Sequence, residues 1–179
     1  ESFKDKLGAW ANKFKPFIES KEMWDIMQVV KNDAAKYGIA PESKDTFRAF
    51  KTVDPKNLKA IFYLMDPYPR RYSNGKLQAT GIAMDCSNAP DGKLQPSLIN
   101  WYDAISKSEG EKVEYCPSLD YLHKQGVMLL NTDLTCRINQ TQSHEGLWEP
   151  FHKYLLEEIL RSDTSIVYVL CGKSSLRVE

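Results

Sequence analysis

Three short, unbroken apolar runs dictate most of what this chain can become. Leu58 to Leu64 (LKAIFYL), Val127 to Leu130 (VMLL) and Ile166 to Leu170 (IVYVL) are rich in β-branched and aromatic residues, follow polar residues and give way to polar loops. Continuous rather than alternating apolar character is the pattern of strands buried on both faces of a parallel sheet. Helical spacing fills the intervals. Residues 3–37 carry apolar positions at three- and four-residue steps, with Trp24, Met27, Val30 and Ala34 on one face and Gly38 as the stop. Asp45 to Phe50 reads as a short helix, Pro96 to about Ile105 as a helix with proline in its first turn, and Glu145 to Leu160 as a helix with Leu147, Phe151, Tyr154, Leu155 and Glu158 in phase. Strand alternating with helix predicts an α/β fold with a parallel sheet. Ligands of such sheets bind beyond the carboxyl ends of the strands. The site candidates are therefore Met65 to Pro69, Asn131 to Thr135 and Cys171 to Ser175.

Length and charge narrow the possibilities further. A chain of 179 residues supports one sizeable core, so residues 1–179 read as a single domain, with continuation past Glu179 left open. Lys plus Arg number 24 and Asp plus Glu number 24, so no global field draws the molecule to DNA or to anionic lipid, and any nucleic-acid contact needs a local patch. No apolar run approaches the roughly 20 residues of a membrane span, and no signal sequence opens the chain; a cytoplasmic or nuclear location is expected. Cys86, Cys116, Cys136 and Cys171 are too scattered for a tetrahedral zinc site and read as reduced thiols. Neither metal nor cofactor is expected. Asn139-Gln140-Thr141 matches a glycosylation acceptor by chance.

The residues at the strand ends resemble family 1 uracil-DNA glycosylases. Leu64-Met65-Asp66-Pro67-Tyr68-Pro69 is similar to the family's G-Q-D-P-Y-H, Gly81 to Asp85 to its G-L-A-F-S, and Gln95-Pro96-Ser97-Leu98-Ile99-Asn100 to its P-P-S-L-x-N. Gly126 to Thr135 matches G-V-L-L-L-N-T-x-L-T closely, Ser143-His144 and Trp148 to Phe151 resemble S-H…W-E-x-F, and Val167 to Lys173 resembles V-F-L-L-W-G-x. Together these segments cover about residues 41–173 in the family order. The resemblance implies a three-layer α/β sandwich with a central, mostly parallel four-stranded sheet flanked by helices. It also implies base flipping and hydrolysis of the N-glycosidic bond of uracil, or a related modified pyrimidine, in single- or double-stranded DNA, by a monomer.

Roles follow by matching position. The resemblance makes Asp66 the catalytic carboxylate, against the plain alternative of an Asp-Pro turn. Asn131 offers an amide donor and an acceptor suited to the O4 and N3 edge of uracil, or it caps a strand end. Tyr68 would exclude a C5 methyl, or simply be a buried loop aromatic. Met65 and Met84 complete the base-binding set, Met65 through its main chain. Ser97 at a helix start is a candidate phosphate contact or an ordinary N-terminal serine. Arg70 and Arg71, with Lys76, lie in an insertion longer than the family's and form either a phosphate-binding patch or a solvated loop. His144 and His152 read as structural or solvent-facing.

The pattern also breaks. Met65 stands for Gln, Pro69 for His and Met84 for Phe, and the family's H-P-S-P-L segment has no counterpart; the tail from Leu176 does not resemble it. Two functions from different classes compete on this basis: an active glycosylase, and a catalytically impaired glycosylase-fold protein serving as a DNA-binding or protein-binding accessory. A proteinaceous inhibitor or replication partner is a further expectation. A nucleobase-binding protein without affinity for DNA is a third reading.

Overall fold

The computed structural model describes residues 2–178. Its elements run α1 (Phe3–Leu7), α2 (Ala11–Ile18), α3 (Lys21–Tyr37), β1 (Ile39–Ala40), α4 (Arg48–Lys51), β2 (Ala60–Leu64), α5 (Pro96–Glu109), α6 (Asp120–Lys124), β3 (Val127–Asn131), β4 (Cys136–Arg137), α7 (Glu149–Tyr154) and β5 (Val167–Leu170). A π-helical turn, Leu155–Ile159, prolongs α7, and a 3-10 segment, Lys173–Val178, follows β5. No helix among the described residues is long and apolar enough to cross a membrane.

The three apolar runs form one parallel sheet in the order β3-β2-β5. Period-2 alternation then divides its side chains between two cores. Ile61, Tyr63, Met128 and Leu130 pack under α1 to α4 and α7, in a cluster centred on Trp10, Phe14, Phe50 and Phe151. Leu129, with Phe62, Leu64 and Val127, turns to the other face against Leu98 and Tyr102 of α5. Helices on both faces make three layers, as expected. The sheet has three strands among the described residues, however, rather than four. The chain has only three long β-forming runs, and β1 pairs separately, antiparallel to β4, as Ile39↔Arg137 and Ala40↔Cys136.

Other expectations are corrected. In α3 the buried stripe is Met23, Ile26, Val30 and Asp33, whereas Trp24 is 61% exposed. Two stripes of similar spacing exist, and the interruption between helices at Glu19-Ser20, where the Ser20 hydroxyl accepts from Met23 N, fixes which one turns inward. The last helix begins at Glu149 instead of Glu145, because residues 142–148 form turns and Pro150 takes a first-turn position. β5 is not buried on both faces: it lies at the sheet edge, and Val167 is 59% exposed. All four cysteines are free.

Two buried histidines make the fold sensitive to acid. His123 Nε2 accepts from Leu129 N at 3.1 Å, so its Nδ1–H faces Thr52 Oγ1 at 2.6 Å and the ring is neutral. His152 is fully buried beside the backbone of Asn131 and Thr132. Burial pushes both down to about 4. Between the ordinary value near 6.5 and about 4, the unfolded chain binds protons at these sites that the folded chain refuses, so stability falls with pH. Asp133 opposes this, since burial raises it to about 6 and its protonation favours the fold. Asp66, also raised by burial, acts in the same sense as Asp133, and the larger shifts of the two histidines leave a net loss of stability in acid. The urea midpoint is expected to drop clearly between pH 7 and pH 4.5; a constant midpoint would mean the histidines titrate normally.

Candidate active site

β2 and β3 run in register, Leu64 opposite Asn131, and their pairing continues beyond the strands. Thr132 N donates to Leu64 O at 2.8 Å, and Asp133 N donates to Met65 O at 3.2 Å. The Thr132 hydroxyl donates to the same Met65 carbonyl at 2.6 Å. Asp66 therefore leaves the sheet beside Asn131 with little freedom between them.

A cavity of about 220 Å³ opens at this point. That is below the roughly 300 Å³ at which pockets for drug-sized ligands begin, and suits one flat heterocycle. Met65, Asp66, Tyr68, Met84, Ser97 and Asn131 all line it. The structure thus brings together six of the eight residues selected from the sequence. Arg70 and Arg71 do not reach the cavity. They belong to a hairpin-like loop closed by Tyr72 N to Lys76 O and Gln78 N to Arg70 O, each at 2.8 Å. Arg71 is directed within it, donating to Gly75 O at 2.8 Å and lying 3.8 Å from Glu42. A wider depression of about 760 Å³ beside β5 is lined by Tyr63, Leu160 and Tyr168 among others, but none of the strand-end residues expected at a site.

The carboxylate is both desolvated and held. Burial raises the pKa of Asp66, while the backbone N–H of Gln142 and the charge of Arg177 draw it back down. Gln142 N donates to Asp66 Oδ2 at 2.6 Å. Two further bonds tie the loop 138–143 and β4 to the Asp66 loop: Asn139 N to Pro69 O at 2.8 Å and Cys136 Sγ to Pro67 O at 3.3 Å. Asn139 and Gln142 both have positive φ, 63° and 54°, a conformation non-glycine residues adopt only at a cost. The sequence reading missed this clamp, since Asn139-Gln140-Thr141 stood out only as a chance glycosylation match. An Asn within a Gln/Thr/Ser-rich turn was the signal that could have found it.

The other walls are equally specific. Asn131 is 9% exposed, and among the described residues its carboxamide has no hydrogen-bond partner, so its donor and acceptor face the cavity unspent. Tyr68, whose hydroxyl burial pushes up to about 12, lies 2.5 Å from the Ser97 hydroxyl and is pinned by it to the start of α5. Gly81 has φ 84°, and a Cβ there would sit 1.9 Å from Asp45 O, so only glycine lets this segment close the cavity. Met84, next along, has φ 61°. The substituted positions Met65, Pro69 and Met84 are all cavity walls.

The remaining histidine is structural. His144 is buried between Thr135 Oγ1 at 2.7 Å and Asp33 Oδ2 at 3.0 Å, and Asp33 also accepts from Arg137 Nε at 2.7 Å. Trp148 Nε1 donates to the same Thr135 hydroxyl at 2.8 Å. This network anchors the loop that carries Gln142. Among the described residues no group of three His, Cys, Asp or Glu could hold a metal ion.

An unspent amide and a clamped carboxylate around one small cavity can bind a polar heterocycle by its edge and stabilise positive charge beside it. Comparison with known proteins is consistent with that. No family model matches the chain. The uracil-DNA glycosylase of Bacillus subtilis (strain 168) is 30% identical over 166 residues, an alignment covering 92% of this chain and 71% of that protein. That of Mesomycoplasma hyopneumoniae (strain 7448) is 32% identical over 162 residues, covering 89% and 70%. The crystal structure of mimivirus uracil-DNA glycosylase shares the fold with a TM-score of 0.85 at 20% identity, over 95% of this chain and 62% of that one. A variant of the mimivirus protein solved in complex with UGI has a TM-score of 0.83 at 19% identity, over 96% and 63%. The chain thus spans about 70% of the length of these curated relatives and less than two thirds of the mimivirus chain. On the identity and coverage of its relatives, the chain belongs to the uracil-DNA glycosylase family.

Proposed function

We propose that this chain removes uracil from DNA by flipping the nucleotide and hydrolysing its N-glycosidic bond, and that the cavity beside Asp66 and Asn131 is where it does so. The observation that carries this reading is the sharing of one base-sized cavity by the Asp66 carboxylate and the Asn131 amide. As the C1′–N1 bond stretches, its electron pair leaves with the base and the sugar becomes cationic. The Asp66 carboxylate stabilises that cation through a partly desolvated medium, orients a water for attack at C1′ and accepts its proton. Asn131 donates to O4 and accepts from N3–H, the reverse of what cytosine offers at the same edge. Tyr68 blocks a C5 methyl, Met84 packs on the face of the base, and the main chain at Met65 borders its edge. Ser97 contacts a phosphate at the start of α5, and Arg70 and Arg71 supply charge farther along the strand.

The accessory-factor reading is not favoured, because the cavity is open and its amide unspent, and the relatives named above are glycosylases. We read the protein as a monomeric, intracellular, single-domain hydrolase acting without cofactor. The neighbour bound to UGI supports a proteinaceous inhibitor as a partner. A uracil-containing oligonucleotide incubated with the protein and treated with alkali is expected to break at the former uracil. An intact strand after prolonged incubation at high protein concentration would overturn the reading.

A further inference from the structure

Behind the cavity, and not lining it, lies a cluster of charged side chains around Arg177. Arg177, in the 3-10 segment after β5, reaches across to the end of β3. Its Nη2 donates to Asp133 Oδ2 at 2.6 Å and to Thr132 Oγ1 at 3.3 Å, and its Nη1 donates to Glu145 Oε1 at 2.6 Å. Glu149 lies 3.6 Å from its Nε. Asp133 is 1% exposed, and the Arg177 charge and the backbone N–H groups of Trp148 and Gly146 offset part of its desolvation. A carboxylate buried this deeply is costly even when paired, and it invites a functional explanation.

The contacts run in an unbroken line to the proposed catalytic group. The Thr132 hydroxyl that accepts from Arg177 donates to Met65 O, and Asp133 N donates to that same carbonyl. Met65 is covalently joined to Asp66. The guanidinium thus grips both residues that hold the β2 end against the β3 end through Nη2, while Nη1 is anchored on Glu145, a fixed planar spread that a flexible ammonium does not reproduce. Its charge also reaches farther than its contacts. Arg177 acts to lower the pKa of Asp66, and the two carboxylates Asp66 and Asp133 repel each other.

We propose that Arg177 is a positioning residue which, through Thr132 and Asp133, fixes the Met65-Asp66 peptide against Asn131 and sets a positive charge behind the Asp66 carboxylate. The inference rests on Asp66 being the catalytic carboxylate. It assigns a part to two positions outside the cavity. Asp133 falls at the variable place of N-T-x-L-T, and Arg177 falls in the tail that shows no resemblance to the family.

The charged and titratable groups around this line can be named. Facing Asp66 are Arg177, Asp133 and Cys136, whose thiol burial pushes up to about 12 and so keeps neutral. Facing Arg177 are Asp133, Glu145, Glu149 and His152, the last neutral near pH 7. Among the described residues, Arg177 and Asp133 bring opposite charges to bear on Asp66 from behind, and this gives a test with opposite signs.

The test is a carbon-detected NMR titration of the Asp66 carboxyl in the free protein, alongside single-turnover excision of uracil from DNA across pH. Arg177→Gln removes the cation and is expected to raise the Asp66 pKa, to move the acid limb of the rate profile up and to lower the rate about 10-fold near pH 6 with KM little changed. Asp133→Asn removes the opposing anion and is expected to move both in the other direction. Arg177→Lys, retaining charge without the fork, should return the acid limb towards wild type and recover only part of the rate. Both Arg177→Gln and Asp133→Asn break the same ion pair, so a purely structural role would shift the two variants alike. Parallel shifts, or no shift in either, would overturn the proposal. The titration needs no activity: opposite pKa shifts in a protein that releases no uracil would uphold the positioning role while sinking the glycosylase reading.

Discussion

Asp66→Asn is expected to lower the single-turnover rate of uracil release by about 10²–10⁴-fold while leaving affinity for uracil-containing DNA intact or slightly increased. The substitution is nearly isosteric. Its amide oxygen can still accept from Gln142 N, which donates to Asp66 Oδ2 at 2.6 Å, so the clamp by the loop 138–143 survives. What disappears is the negative charge that would stabilise the cationic sugar and the base that would take the proton from water. The fold should not suffer, because burial already acts against the ionised form of Asp66, and a neutral amide escapes that penalty. Removing an anion from a surface that approaches phosphates can only help binding. A variant that retains a rate within about threefold of wild type would show that the carboxylate is no more than the start of a turn.

Asn131→Ala is expected to lower the same rate by about 10²–10³-fold, with a change in stability within about 0.5 kcal/mol. A buried polar group that held the strand end together would cost stability on removal, because its partners would be left unpaired. The carboxamide of Asn131 has no such partner among the described residues. Binding to undamaged duplex should be unchanged, since the amide meets only a flipped base. The opposite pattern, a large loss of stability with the rate intact, would assign Asn131 to strand capping.

Much of this architecture could be read from the chain, because the three β-forming runs are short, apolar and followed directly by polar residues. That pattern located β2, β3 and β5, and the carboxyl-end rule pointed to three segments, of which Met65 to Pro69 and Asn131 line the cavity while Cys171 to Ser175 do not; the resemblance singled out Asp66 and Asn131 among them. The face each strand residue takes was not legible, because a continuous apolar run carries no alternation to mark it. Nor was phase in α3. Trp24 and Met23 sit on competing stripes, and only tertiary packing decides between them. The Arg70 and Arg71 reading placed charge correctly in a loop but could not foresee that Arg71 would bond within it. The clamp from Gln142 works through a backbone N–H, which carries no residue-type signature at all. Asp133 and Arg177 are 44 residues apart, and a pairing at that separation leaves no trace in spacing.

The register of Leu64 against Asn131 has a consequence for how the lineage of this protein can vary in length. Adding or deleting a single residue within β2 or β3 would rotate every later side chain on that strand by half a turn, sending Asn131 or Asp66 into a helix layer. The hairpin-like loop from Arg70 to Gln78 closes on itself through its own backbone bonds, so extra residues at its tip would disturb neither strand. Descendants of this sequence should accumulate gaps and insertions around Ser73 to Gly75 and none between Ala60 and Asp66.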